Sequence, residues 1–338
     1  MRKEHTQIAK GGGILLMLFL HLFSTSPQIT SHLWSYTGIH QMLGGFSSIC
    51  VCVFVFLSGY GLCKSSKSDS IRYHASKQLA LYSHTMFIGL LFVPLFSVIG
   101  LISLNVKTLL LSILCLGGGV NNMWWFVAYY PLLLSTVYAI NKFKIRSSIL
   151  LWIMIMVVIF YSLLYKFIEP WMYQAAIGGL PGYIINYIIR YQYVQLLPSL
   201  LLGVLAARNY IPWEETIERT TPAKGVILLI LLFAIFIAVK EIENPILERL
   251  YYQIRVPLFV IAVIKTSIFS KFINRLMLLL GQVSMNVWLI HGFFYFYMFD
   301  YFRITSDYWI IPFVEFATFN VCLSLCIQKV KSKIVNFK

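Results

Sequence analysis

The stretch "AKGGGILLMLFLHLF" (residues 9–23) decides how the chain is read. Its apolar run suits a membrane span, yet it opens on Lys10 and carries His21 eleven positions later. The rest of the sequence favours the membrane. Of 338 residues, 59% are hydrophobic and only 12% are charged, where a soluble domain carries about 25%. Runs of span length recur from one end to the other, which predicts an all-α, polytopic membrane protein. Arg2 and Lys3 before an apolar core could imitate a signal peptide. That reading is set aside because the run is the first of many like it and holds a histidine.

Spans are expected near 8–25, 43–63, 79–103, 123–140, 147–167, 194–208, 224–240, 254–270, 277–299 and 308–328, about ten in all. With the N-terminus inside, the cytoplasmic segments collect Lys64, Lys67, Arg72 and Lys77, then Lys142, Lys144 and Arg146, then Arg208, Arg219 and Lys224, then Lys271 and Arg275. The tail adds Lys329, Lys331, Lys333 and Lys338, so both termini are expected in the cytoplasm. The net charge of +15 is therefore read as topology, and no nucleic-acid partner is expected. Arg255 is assigned to the external side, at the mouth of the 254–270 span. The run 107–117 is too short to cross, and a full crossing would invert every later loop. It reads as a re-entrant piece or half helix leading into Gly117-Gly118-Gly119, whose irregular backbone must be covered by protein or face water. The segment 168–193 is read as external and aromatic-rich, with Trp171, Tyr173 and Tyr183. A helix lying in the interface is expected there.

The six cysteines form no CxxC pair and no metal-ligand spacing, so they are expected to be small buried hydrophobes, and no metal is expected. No internal repeat is visible. One membrane domain, 1–338, is expected, with no soluble domain attached.

Lys10 and His21 share one helix face. Eleven residues turn through about 1100°, about 20° past three full turns, and rise about 16 Å. With Lys10 at the cytoplasmic headgroups, His21 lies near the middle of a hydrocarbon core about 30 Å thick. A charged side chain at that depth costs about 2.5–3.5 kcal/mol on insertion scales. Such groups face a bundle interior or a wet cavity. The plainer reading is a structural histidine beneath a snorkelling lysine. The chemical reading is a general base suited to neutral pH, above a cation that meets the phosphates of a donor. The phosphopantetheine arm of coenzyme A is about long enough to join the two.

The order of motifs resembles the acyltransferase 3 family of integral membrane O-acyltransferases. Its signature of Arg or Lys, ten residues, then His in the first span matches Lys10 and His21. "VFVFLSGYG" (53–61), "IRYHASKQLALYSH" (71–84), "NNMWWFVAYY" (121–130), "LPSLLLGVLAAR" (197–208) and "LGQVSMNVWLIHGFF" (280–294) follow in the family's order. Lys10 departs from the commoner arginine, and Trp288 from the commoner tyrosine. The resemblance implies that His21 is the catalytic base and that Lys10 helps hold the acyl donor. Arg72 is a further donor contact or a plain positive-inside charge. Ser58 and Gly59 allow close approach of a ligand or of another helix. Trp124 and Trp125 are ligand contacts or interfacial anchors. Ser284 and His291, seven apart on one face, are supporting groups, with His291 either in the site or a structural hydrogen-bond partner.

The implied activity is transfer of an acyl group, acetyl first, from cytoplasmic acetyl-CoA to a hydroxyl of a surface polysaccharide or its lipid-linked precursor. The expected setting is the plasma membrane of a bacterium. The expected partners are membrane lipids and a glycan or glycolipid acceptor, with a second copy of the chain or separate polysaccharide-synthesis proteins beside it. A transporter or flippase for a lipid-linked glycan is the alternative, but no inverted repeat or paired broken helices support it. A glycan polymerase would carry larger and more basic external loops.

Overall fold

The computed structural model describes residues 1–24, 39–116, 119–160, 192–242, 244–298 and 310–336. Every regular element among the described residues is helical. In chain order these are α1 (Lys3–Ser24), α2 (Ile39–Phe46), α3 (Cys50–Lys64), α4 (Ile71–Val98), α5 (Val106–Ile113), α6 (Trp125–Lys142), α7 (Ser147–Phe160), α8 (Gln192–Ala207), α9 (Trp213–Arg219), α10 (Pro222–Ile242), α11 (Pro245–Ser267), α12 (Lys271–Tyr297) and α13 (Ile310–Asn336).

Among the described residues, seven stretches are long and apolar enough to cross a membrane: Lys3–Phe23, Met42–Lys64, Ile71–Val98, Asn122–Lys142, Pro222–Ile242, Lys271–Tyr297 and Ile310–Lys333. Each falls on an expected span. Ser147–Phe160 and Gln195–Ala207 are apolar but shorter. They fall on two more expected spans, and both adjoin the segment 161–191. The outward surface agrees with a lipid solvent. Leu90 and Val98 on α4 are 76% and 86% exposed, a cost in water that vanishes against acyl chains. The protein is a polytopic helical membrane protein. Of the interface helix expected over 168–193, residues 168–191, with Trp171, Tyr173 and Tyr183, lie outside the described residues, as do Gly117 and Gly118, while 192–193 open α8.

The short run behaves as a half helix. α5 has eight residues and is about 12 Å long, far less than a bilayer core. Asn105 caps its start, its side-chain oxygen accepting from the Thr108 amide at 2.8 Å. The chain then turns through Cys115 at φ 55°, and the Ser112 hydroxyl accepts from the Val120 amide at 2.7 Å.

Two expectations need correction. The span placed at 254–270 is part of a longer helix that starts at Pro245. Arg255 is thus no loop cation. It is 1% exposed inside α11, with its guanidinium 5.0 Å from the Phe236 ring and 5.4 Å from the rings of Tyr251 and Tyr252. Aromatic faces at that range stabilise a desolvated cation. The cysteines also divide. Cys50, Cys52 and Cys115 are buried, but Cys322 and Cys326 are exposed on α13. All six are free.

The described chain packs as two compact units, each built from separate stretches. The first comprises Met1, residues 51–81 and residues 127–266. Its α3 and α8 touch backbone to backbone. A Cβ at Gly59 would strike the Leu200 carbonyl oxygen, and one at Gly203 would strike that of Phe56. Small residues let membrane helices close to this range. The second unit comprises residues 2–50, 82–126 and 267–338. It is organised by α1 against α12, with α2 and α13 beside them.

Candidate active site

The site is built on the seam between α1 and α12. A Cβ at Gly11 would strike the Met277 carbonyl oxygen, and one at Gly281 would strike that of Gln7. The two glycines therefore let the backbones meet directly. From this contact both helices run the same way. Ten residues past Gly11 on α1 and fourteen past Met277 on α12, the rings of His21 and His291 lie 5.1 Å apart, centroid to centroid, tilted by 32°. The Tyr295 ring is 6.0 Å from that of His21. α1 is unbroken from Lys3 to Ser24, so the helical interval between Lys10 and His21 holds. Lys10 is half-buried, and His291 is 0% exposed.

The half of α12 that carries His291 is fixed from its other side by residues 119–124. The Leu289 carbonyl accepts from the Trp124 indole N–H at 2.9 Å and from the Asn121 amide at 3.1 Å. Gly292 makes room for this, since a Cβ there would strike the Asn121 side-chain oxygen. The Tyr297 hydroxyl donates to the Val120 carbonyl at 2.7 Å. Phe293 packs on Phe92, Phe96 and the edge of Trp124, at 5.4, 5.5 and 5.6 Å. Trp124 is 2% exposed, so of the roles expected for it the interfacial anchor is excluded. Its indole bonds the helix that holds His291. Trp124→Phe removes one donor while Asn121 keeps its bond to the same carbonyl. The expected loss is about 1 kcal/mol, read as a lower thermal midpoint of the purified protein.

The remaining sequence candidates fall as follows. Ser284, two turns before His291, donates to the Gly281 carbonyl at 2.8 Å. Trp125 is half-buried and stands edge-on to Phe126 at 5.9 Å. Ser58, Gly59 and Arg72 belong to the first unit. Ser58 hydrogen-bonds Tyr130, Gly59 is at the α3–α8 contact, and Arg72 is exposed on the first turn of α4.

One group, Tyr295, escaped the sequence reading, and another, His84, had no partner that the sequence could name. Tyr295 stands one helical turn beyond His291, and that four-residue interval was the available signal. His84 on α4 is buried, with Nε2 2.6 Å from the Asn286 side-chain oxygen and Nδ1 2.7 Å from the Lys331 ammonium. The Asn286 amide passes on to the Ser324 carbonyl at 3.1 Å. Nothing local in the sequence announces this network, because His84 lies more than 200 positions from Asn286 and Lys331.

A multi-pass helical protein with ionisable side chains buried between its spans belongs with the integral membrane enzymes and transporters. The family model for an acyltransferase domain, of the acyltransferase 3 type, matches residues 7–328. The chain belongs to that family and is a membrane acyltransferase by membership. No curated protein and no solved structure matches it.

Proposed function

We propose that this chain transfers acetyl from cytoplasmic acetyl-CoA to a hydroxyl of a bacterial surface polysaccharide or its lipid-linked precursor, at the plasma membrane, with His21 as general base. The observation that carries the reading is the placement of His21. It sits beside the buried His291 on the seam between α1 and α12, three helical turns along one continuous helix from Lys10. In this reaction the bare nitrogen of His21 takes the acceptor's proton as the hydroxyl oxygen attacks the thioester carbon. The intermediate collapses, the C–S bond breaks, and the proton passes from His21 to the departing thiolate. Free coenzyme A and an O-acetyl ester are the products. Lys10 meets the phosphates of the donor as a point charge.

The acceptor is tested by comparing surface glycan from cells with and without the protein, by mass and NMR. Loss of an ester on a defined hydroxyl supports the proposal. Unchanged glycan esterification contradicts it. Lys10→Met is expected to raise the KM for acetyl-CoA about tenfold, the loss of one charge-assisted contact. Lys10→Arg should keep it near the wild-type value. Steady-state rates with varied acetyl-CoA check both.

A further inference from the structure

His291 is in a defined hydrogen-bonding state. Its Nδ1 lies 2.7 Å from the Trp288 backbone carbonyl oxygen. A carbonyl oxygen can only accept, so Nδ1 carries the proton. The neutral imidazole then leaves Nε2 as a bare acceptor. That nitrogen is buried and has no hydrogen-bond partner among the described residues. A buried acceptor of this kind ordinarily costs free energy unless something comes to fill it. The ring next to it is His21, at a centroid separation of 5.1 Å. Two imidazoles joined by an N–H···N bond of about 2.9 Å have centroids about 5 Å apart.

We infer that His291 is the positioning residue of the acyl-transfer site: its Nε2 accepts the N–H of His21 and so aims the other His21 nitrogen at the acceptor hydroxyl. The inference rests on His21 being the base. A rotation of the His21 ring turns the present contact into that bond. When His21 takes the hydroxyl proton, the bond becomes charge-assisted and strengthens. It relaxes when the proton leaves with the thiolate. His291 gains and loses no proton in the cycle. The Trp288 carbonyl blocks the other tautomer, and the Leu289 carbonyl, bonded by Trp124 and Asn121, holds that turn of α12 in place. This supplies the orienting group that a lone histidine base requires.

The test uses membranes carrying the full-length chain and its own acceptor, with radiolabelled acetyl-CoA added. His291→Phe keeps a ring and removes the acceptor. It should lower kcat about 100-fold, the size of a misplaced catalytic group, and leave the KM for acetyl-CoA unchanged. His291→Gln returns an acceptor oxygen near the Nε2 position and should recover most of the rate. Wild-type kcat in His291→Phe, or equal loss in the two variants, would overturn the inference. Nitrogen-15 spectra of histidine-labelled wild-type protein serve even if a variant fails to fold. They should show Nε2 of His291 without a proton, and that signal should move in His21→Phe. A protonated Nε2 would overturn the inference. His21→Ala run in parallel separates the two layers. If it still transfers label, the base reading itself fails and the inference with it. If it is inactive while His291→Phe is normal, only the inference fails.

Discussion

His21→Ala is expected to lower the acyl-transfer rate by about 10²- to 10⁴-fold, the contribution of a positioned general base. The expectation follows from where the ring sits. His21 lies where α1 packs on α12, against His291 and Tyr295. Lys10 lies about 16 Å away along the helix, so the KM for acetyl-CoA should change little. A fall in kcat alone marks an interaction made in the transition state. Removing this half-buried ring should leave the amount of folded protein near wild type, and size-exclusion profiles in detergent check this. A variant with unchanged rate would exclude His21 from the chemistry.

The second large effect is expected at the seam. Gly281→Val places a side chain against the Gln7 carbonyl oxygen, and Gly11→Val places one against that of Met277. Neither obstacle is a flexible side-chain end. Each is backbone within a helix, so the helices themselves must part. Overpacking of this kind costs about 1–3 kcal/mol, and parting also widens the His21–His291 contact. Both variants should melt lower than wild type and lose most activity at temperatures where they remain folded. Gly61→Ala is the control. Gly61 is exposed on α3 and nothing lies within 4 Å of a Cβ there. Its replacement should be neutral, or stabilising by about 0.5–1 kcal/mol through helix propensity. Thermal midpoints of the purified variants give the comparison.

The spans were legible because lipid leaves no alternative to long apolar helices. The half helix was legible because the run 107–117 is too short to cross and the charge pattern forbids the attempt. The interval from Lys10 to His21 follows from helical geometry alone. α11 was misjudged at its start because Glu248, Arg249 and Arg255 depress its hydropathy. The signal that corrects it is local: Tyr251 and Tyr252 precede Arg255 by four and three residues, and their rings lie within 5.4 Å of its guanidinium. Trp124 stayed open between ligand contact and anchor because composition cannot distinguish an indole at the headgroups from one bonded to a buried carbonyl. His84 could not be paired at all, since Asn286 and Lys331 come from distant helices. His291 was visible only through its motif. Its state depends on the Trp288 carbonyl, which no sequence pattern displays.

The most direct measurement follows both halves of the reaction at once. Purified protein in lipid nanodiscs receives acetyl-labelled acetyl-CoA and lipid-linked glycan from the same cells. The account predicts base-labile label on the glycan and an equal amount of free coenzyme A thiol, both abolished in His21→Ala. If reconstituted vesicles instead carry the glycan lipid across the bilayer with no thiol released, the acetyl-transfer account is wrong.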